Sequence, residues 1–82
     1  MRSRTKDEMF IIRAYETTIK QNDKNALMNR YEIGRLCGIT EKGTDAISTL
    51  LAQANFIKKV SSVEFRLTPN GEALAIRLIE EK

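Results

Sequence analysis

Histidine is absent from this chain of 82 residues, and cysteine and proline occur once each. With a single cysteine, Cys37, an internal disulfide is excluded. Without histidine, the common zinc sites and the Ser-His or Cys-His nucleophile pairs cannot be assembled, and no phosphate-binding loop of the GxxxxGKS/T type is present. We therefore predict that the protein is not an enzyme and needs no cofactor. Cys37 is predicted to be a small buried side chain rather than a redox sensor, which needs an exposed thiol of low pKa.

Long apolar runs are also missing. No stretch reaches the roughly 18 residues that a membrane helix needs, and the charged start MRSRTKDE lacks the apolar segment of a secretory signal. We expect a cytoplasmic protein with no membrane partner. The composition, 41% hydrophobic and 30% charged, is that of one small folded domain rather than of a disordered chain.

The net charge of +3 comes from the first six residues. Removing Arg2, Arg4 and Lys6 from the 14 basic residues leaves 11, which balance the 11 acidic residues. Segment 1–6 is therefore predicted to be a flexible basic arm, followed by a single domain over 7–82. Two interpretations of the arm stay open: a solvated terminus, or a contact to DNA phosphates or the minor groove.

Four helices are predicted from capping residues and from apolar side chains that recur three and four residues apart. The first spans Lys6 to Gln21. Asn29 caps the second, and Gly38 ends it in the left-handed conformation that glycine adopts most easily. The last begins at Thr68-Pro69, since proline is tolerated in a first turn. The inner stripe of the first helix is predicted to hold Ile11, Ile12, Tyr15 and Ile19.

The third helix, 41–54, follows the Gly38-Ile39-Thr40 turn directly, so the second and third helices are predicted to form a helix-turn-helix. The apolar spacing assigns one set of residues to the core: Ala46, Ile47, Leu50, Leu51 and Ala54. The polar residues of this helix are predicted to point outward: Lys42, Thr44, Asp45, Ser48, Thr49 and Gln53.

Two short strands are predicted after the third helix. Residues 56–60 and the alternating segment Val63 to Leu67 form a hairpin, with Ser61-Ser62 as its turn. Residues 26–28 are either loop or a brief edge strand. The fold class is therefore α+β and mainly α: a three-helix core, a two-stranded hairpin and a C-terminal helix.

The order of these elements resembles a known family. The stretch YEIGRLCGITEKGTDAISTLLAQANFIKKV, closed by FRLTPNGEALAIRLIEE, looks like the winged helix-turn-helix of small prokaryotic transcription regulators of the MarR/PadR-like type. The most specific part is Leu67-Thr68-Pro69-Asn70-Gly71, which is similar to the LTxxG segment between wing and following helix in that group. The resemblance covers roughly residues 7 to 80.

The resemblance implies double-stranded DNA as the partner, with helix 41–54 in the major groove and hairpin 57–67 on the backbone. Ser, Thr and Gln side chains can contact base edges and phosphates, and the basic residues can hold phosphates. The predicted DNA-contacting residues are Lys42, Thr44, Asp45, Ser48, Thr49, Gln53, Lys58, Lys59, Ser61, Ser62, Arg66, Arg2, Arg4 and Arg30. About four phosphate contacts per subunit would give a log-affinity against log-salt slope of roughly −3.5.

Several alternatives stay open. A winged helix can also be a protein-interaction module in a larger assembly, and the net charge of −1 on helix 41–54 and the short Ser61-Ser62 turn favour that reading. Lys58 and Lys59 are either a solvated strand edge or phosphate contacts. Apolar residues off the inner stripes of the terminal helices, Phe10, Ala73 and Ile76, suggest a homodimer through those helices. A small-molecule effector is not predicted.

Overall fold

The computed structural model describes residues 4–81, and in this range the chain is α+β and mainly helical, which confirms the predicted class. The helices are α1 (Lys6–Lys20), α2 (Arg30–Leu36), α3 (Glu41–Gln53) and α4 (Pro69–Glu80). The strands are β1 (Met28–Asn29), β2 (Ile57–Lys59) and β3 (Glu64–Leu67). No helix within residues 4–81 combines the length and apolar character needed to cross a membrane.

Polar side chains cap each helix where the sequence predicts a start. The Thr5 hydroxyl and the Glu8 carboxylate form a capping box at α1, which begins at Lys6 as predicted. Asn29 accepts from the backbone N–H groups of Tyr31 and Glu32 at α2. Such caps satisfy N–H groups that have no partner inside the helix.

The three strands form one antiparallel sheet in the order β1-β3-β2. Met28 lies opposite Phe65 and Asn29 opposite Glu64 at the edge of the sheet. Of residues 26–28, which were predicted to be either loop or a brief edge strand, Met28 lies in the strand and 26 and 27 precede it as loop. Lys58 pairs with Arg66 and Lys59 with Phe65 across the hairpin. The turn is closed by the N–H groups of Val60 and Ser61, which donate to the Glu64 carbonyl at 2.9 and 3.2 Å.

The core lies between the helices and one face of the sheet. Phe10 of α1 and Phe65 of β3 are both buried, with ring centroids 5.4 Å apart. Phe10 is therefore unavailable to a partner, and its predicted place off the inner stripe is wrong. Ile19 was predicted inside, but it is exposed near the end of α1, so this position of the predicted inner stripe is wrong. The remaining apolar core consists of Ile11, Ile12, Ala14, Met28, Ile33, Ile39, Leu51, Ile57, Leu67, Ala75 and Leu78.

The turn between α2 and α3 is built as predicted. Gly38 has φ of 72°, the left-handed region that glycine enters without a steric penalty. The N–H of Gly38 donates to the Arg35 carbonyl, and the N–H of Ile39 donates to the Gly34 carbonyl at 2.8 Å. Ile39 is buried beneath the turn, and Thr40 then caps α3. The backbone thus turns at Gly38-Ile39-Thr40, and α3 packs against α2.

A second set of contacts joins the exit of α3 to the start of α4. The Thr68 hydroxyl donates to the Asn55 carbonyl at 2.7 Å and accepts from the Gly71 N–H at 3.1 Å. Asn55 has φ of 65°, which turns the chain from α3 into the hairpin. Gly71 packs directly on the Phe56 carbonyl: an added Cβ would lie 2.0 Å from that oxygen. The LTPNG segment is therefore a structural junction that fixes where α3 ends.

Candidate nucleic-acid interface

The face of α3 that points away from the core carries both polar and apolar side chains. Lys42, Ala46, Thr49, Leu50 and Gln53 are all exposed. They recur at spacings of three and four residues, so they lie on one side of the helix. We call this set the α3 outer face. Lys42, Thr49 and Gln53 confirm the outward orientation predicted from the sequence.

Two of the predicted outward residues are instead buried. Thr44 and Ser48 are each 1% exposed, whereas Leu50, which was predicted inside, is 61% exposed. Ala46 and Ala54 are exposed as well, so the predicted inner and outer faces of α3 are wrong at these positions. Buried residues cannot reach bases or phosphates, so Thr44 and Ser48 are not candidates for DNA contact.

The reason for this rotation is the close crossing of α2 and α3. Gly34 is buried opposite Thr44, and an added Cβ at Gly34 would lie 2.1 Å from the Thr44 hydroxyl oxygen. Only small side chains fit where two helix backbones approach so closely. Ser48 is buried one helical turn after Thr44, and its hydroxyl donates to the Asp45 carbonyl of its own helix at 3.1 Å. The close fit of Thr44 against Gly34 thus decides which side of α3 is buried, although burying Leu50 would remove more apolar area from water.

Arg30 links three elements beside the α3 outer face. Its Nε and one terminal nitrogen lie 3.2 and 3.1 Å from the Asp45 carboxylate. It also donates to the Ser62 carbonyl in the hairpin turn and to the Tyr31 hydroxyl. Tyr31 in turn donates to Asp45 at 2.7 Å. Arg30 and Asp45, both predicted to contact DNA, are therefore occupied with each other and with the hairpin.

The contacts of Asp45 with Tyr31 and Arg30 affect both the pKa of Asp45 and the net charge near α3. A hydrogen bond from the Tyr31 hydroxyl, followed by the guanidinium of Arg30 and the charge of Lys59, holds the pKa of Asp45 below its ordinary value against the opposing effect of desolvation. Asp45 is thus ionised at neutral pH and compensated by a neighbouring cation. The net charge of −1 read from the isolated helix is offset by Arg30.

The basic residues of the hairpin divide between the two faces of the sheet. The Lys59 ammonium donates to the Thr49 hydroxyl at 3.3 Å, which places it beside the α3 outer face. Lys58 and Arg66 pair with each other across the strands. Because side chains alternate along a strand, these two lie on the opposite face of the sheet, where they line an open groove with Leu27 and Val60, and Lys59 also borders this groove. The structure therefore joins one of the three predicted hairpin cations to α3.

The remaining predicted residues lie elsewhere. Ser61 accepts from the Glu64 N–H inside the turn, and the Ser62 carbonyl holds Arg30, so both stabilise the hairpin. Arg4 donates to the Leu78 carbonyl near the end of α4 at 3.1 Å. Arg2 lies outside the described residues. Cys37 is half-buried, and burial raises the pKa of its thiol against the opposing effect of Arg13.

The sequence did not predict three features of this region. Ala46 and Leu50 were expected in the core but are exposed, and Tyr31 was not expected to bond to Asp45 and Arg30. One signal for the first two was present: Thr44, Ser48 and Leu51 also recur at helical spacing, and Gly34 precedes them in the facing helix. No sequence pattern indicated the role of Tyr31. One of its partners, Asp45, is 14 residues away, and the other, Arg30, is its neighbour in the chain.

Comparisons with known proteins give no family assignment. No family model matches the chain, and no significant match is found among curated proteins or among solved structures. Function must therefore be inferred from the geometry and charge of residues 4–81. Within that range, no three His, Cys, Asp or Glu side chains lie close enough together to hold a metal ion.

Proposed function

We propose that the protein is a winged helix-turn-helix that binds double-stranded DNA, with α3 in the major groove, and that it acts as a transcription regulator. The element order supports this reading: two helices joined at Gly38-Ile39-Thr40 are followed directly by a hairpin. In proteins with this motif, the second helix of the pair reads base edges. Residues Ser61 and Ser62 make the wing short, so α3 supplies most of the contact.

The observation that carries the proposal is that Lys42 and Lys59 lie beside the same exposed face of α3 as the polar residues Thr49 and Gln53. Lys42 lies in the first turn of α3, and Lys59 is fixed beside Thr49 by its 3.3 Å contact with the hydroxyl. Thr49 and Gln53 are exposed on the α3 outer face, one helical turn apart. Lysines suit phosphates, and Thr and Gln suit base edges.

The salt dependence of duplex binding tests this assignment. Two phosphate contacts per subunit, from Lys42 and Lys59, give a log-affinity against log-salt slope of about −1.8. The larger slope expected from the sequence required Lys58 and Arg66 on the same face. Fluorescence anisotropy with mixed-sequence duplex DNA at several salt concentrations measures the slope. Absence of duplex binding at low salt would overturn the proposal.

The proposal includes a homodimer formed through the terminal helices. Ile19 of α1 and Ile79 of α4 are exposed, as is Ala73, although α1 and α4 pack against each other. Apolar side chains in this position can be buried by a second copy. Sedimentation analysis of the wild-type protein and of Ile79→Glu tests the homodimer. A wild-type protein that is monomeric at all concentrations would contradict the homodimer.

The second candidate function is a protein-interaction module, and the observation that favours it is Leu50, which is largely exposed in the middle of α3. An apolar contact to another protein would change little with salt, whereas phosphate contacts weaken steeply. The salt dependence of association therefore separates the two functions: a complex with another protein that contains no duplex DNA and persists at high salt supports the second.

A further inference from the structure

The centre of the α3 outer face is apolar, although its ends are polar. Ala46 and Leu50 are exposed and four residues apart, so they stand side by side on the helix. Thr49 adds a methyl group beside a hydroxyl that already accepts from Lys59. A base-reading helix with this composition has little capacity to form hydrogen bonds at its centre.

The polar groups near this centre are unsuited to reading G·C pairs. Guanine is most often read by arginine or lysine donating to O6 and N7, and α3 contains no arginine over Glu41–Gln53, with Lys42 placed in its first turn. Cytosine is read by a carboxylate that accepts from its amino group. The carboxylate available, Asp45, is held by Tyr31 at 2.7 Å and by Arg30.

A·T pairs fit the same surface. The thymine methyl group projects into the major groove and is contacted by alanine, by the threonine methyl and by other apolar groups, while glutamine can bond to N6 and N7 of adenine. Gln53 lies one helical turn beyond Thr49 on the same face. Ala46 and Leu50 are about 6 Å apart along the helix axis, which corresponds to roughly two base-pair steps of about 3.4 Å.

Resting on the proposed function, we infer that the DNA sites recognised by this protein are built on adjacent A·T pairs, whose thymine methyl groups pack against Ala46, Thr49 and Leu50, with Gln53 contacting adenine. The preferred ligand is thus A·T-containing duplex DNA read from the major groove. Lys42 and Lys59 position the helix on phosphates and contribute no base preference.

Thymine methyl groups can be removed without changing any hydrogen bond, which makes the inference testable. A preferred duplex is first enriched from a random pool with the full chain, and its affinity is then compared with that of the same duplex carrying deoxyuridine for thymidine. We expect about fourfold weaker binding for each contacted methyl group. Exchange of one contacted A·T pair for G·C should weaken binding roughly 5- to 150-fold.

Matched leucine variants assign the effect to α3. Leu50→Asn should lose the part of the deoxyuridine penalty that comes from the methyl group packed on Leu50, whereas Leu27→Asn, at an exposed leucine beside Lys58 and Arg66, should keep the full penalty. Enriched sites without A·T pairs, or equal affinity for thymidine and deoxyuridine duplexes, would overturn the inference while leaving duplex binding intact. Absence of any duplex binding at low salt would overturn both the inference and the proposed function.

Discussion

Gly34 and Thr44 are in direct contact where α2 crosses α3, and a Cβ atom on Gly34 would lie 2.1 Å from the Thr44 hydroxyl oxygen. This contact fixes which side of α3 faces the core, and it therefore selects the residues that form the α3 outer face.

The first prediction concerns the space at this crossing. Gly34→Ala should lower the free energy of unfolding by roughly 1–3 kcal/mol, because the added methyl group overlaps Thr44 and the helices must separate. Thr44→Ala in the same chain removes the overlapping oxygen and should restore part of the loss, which denaturant titration of the two single variants and the double variant measures. Equal stability of Gly34→Ala and the wild type would contradict the close crossing.

The second prediction concerns the hydroxyl groups that α3 buries. Among the side chains that the structure describes, Thr44 Oγ1 is buried without a hydrogen-bond partner, and such an atom costs about 1–3 kcal/mol. Thr44→Val removes it at similar volume and should raise the unfolding temperature. Ser48→Ala is the matched control: its hydroxyl donates to the Asp45 carbonyl, so its removal should give no gain. A lower unfolding temperature for Thr44→Val would show that the hydroxyl has a partner.

The third prediction concerns pH. Because the folded-state pKa of Asp45 is depressed, its ionised form stabilises the fold at neutral pH, and this contribution is lost as the pH falls below the ordinary aspartate value of 3.8 and through the folded-state value. Asp45→Asn should therefore be less stable than the wild type at pH 7, with the two curves converging in acid. Urea unfolding across this pH range measures the difference. A constant gap down to pH 2.5, roughly a unit below the unperturbed pKa, would contradict the pairing with Arg30 and Tyr31.

The fourth prediction separates the two lysines of β2. Lys59→Ala should reduce the salt slope of duplex binding by about 0.9, the effect of one lost phosphate contact. Lys58→Ala should leave both slope and affinity unchanged, because Lys58 lies on the opposite face of the sheet beside Arg66. The two variants remove the same charge, and of the two lysines Lys59 is the one that contacts Thr49 of α3. A loss at Lys58 equal to that at Lys59 would mean that the outer sheet face also contacts DNA.

The fifth prediction tests the LTPNG segment as a structural junction. Thr68→Ala removes the cap of α4 and the bond to the Asn55 carbonyl, and should cost about 0.5–2 kcal/mol of stability. Thr68→Ser keeps both hydroxyl contacts and should stay close to the wild type in a thermal melt. If serine is as damaging as alanine, the methyl group rather than the hydroxyl holds the junction.

Much of the fold follows from local chemistry. The caps at Asn29, Thr40 and Thr68 and the left-handed Gly38 mark helix boundaries within a residue or two, because these groups act on neighbouring backbone atoms. Period-two alternation likewise predicts β3. These features need no knowledge of what packs against them.

The orientation of α3 could not be predicted in the same way. Its sequence offers two helical stripes, one through Leu50 and one through Thr44, Ser48 and Leu51, and apolar area favours the first. The choice is made by Gly34, which is ten residues away and admits only a small side chain. The sheet faces on which Lys58 and Lys59 lie follow from the register of β2 with β3. That register depends on the partner strand, so composition could not predict it.

The most direct test of α3 as the DNA-reading surface is a map of amide chemical-shift changes when duplex DNA is added to the isotope-labelled full chain at low salt. The proposal predicts that the largest changes fall on Lys42, Ala46, Thr49, Leu50 and Gln53, together with Lys59. Changes concentrated on Leu27, Lys58 and Arg66, or on the terminal helices, would contradict it.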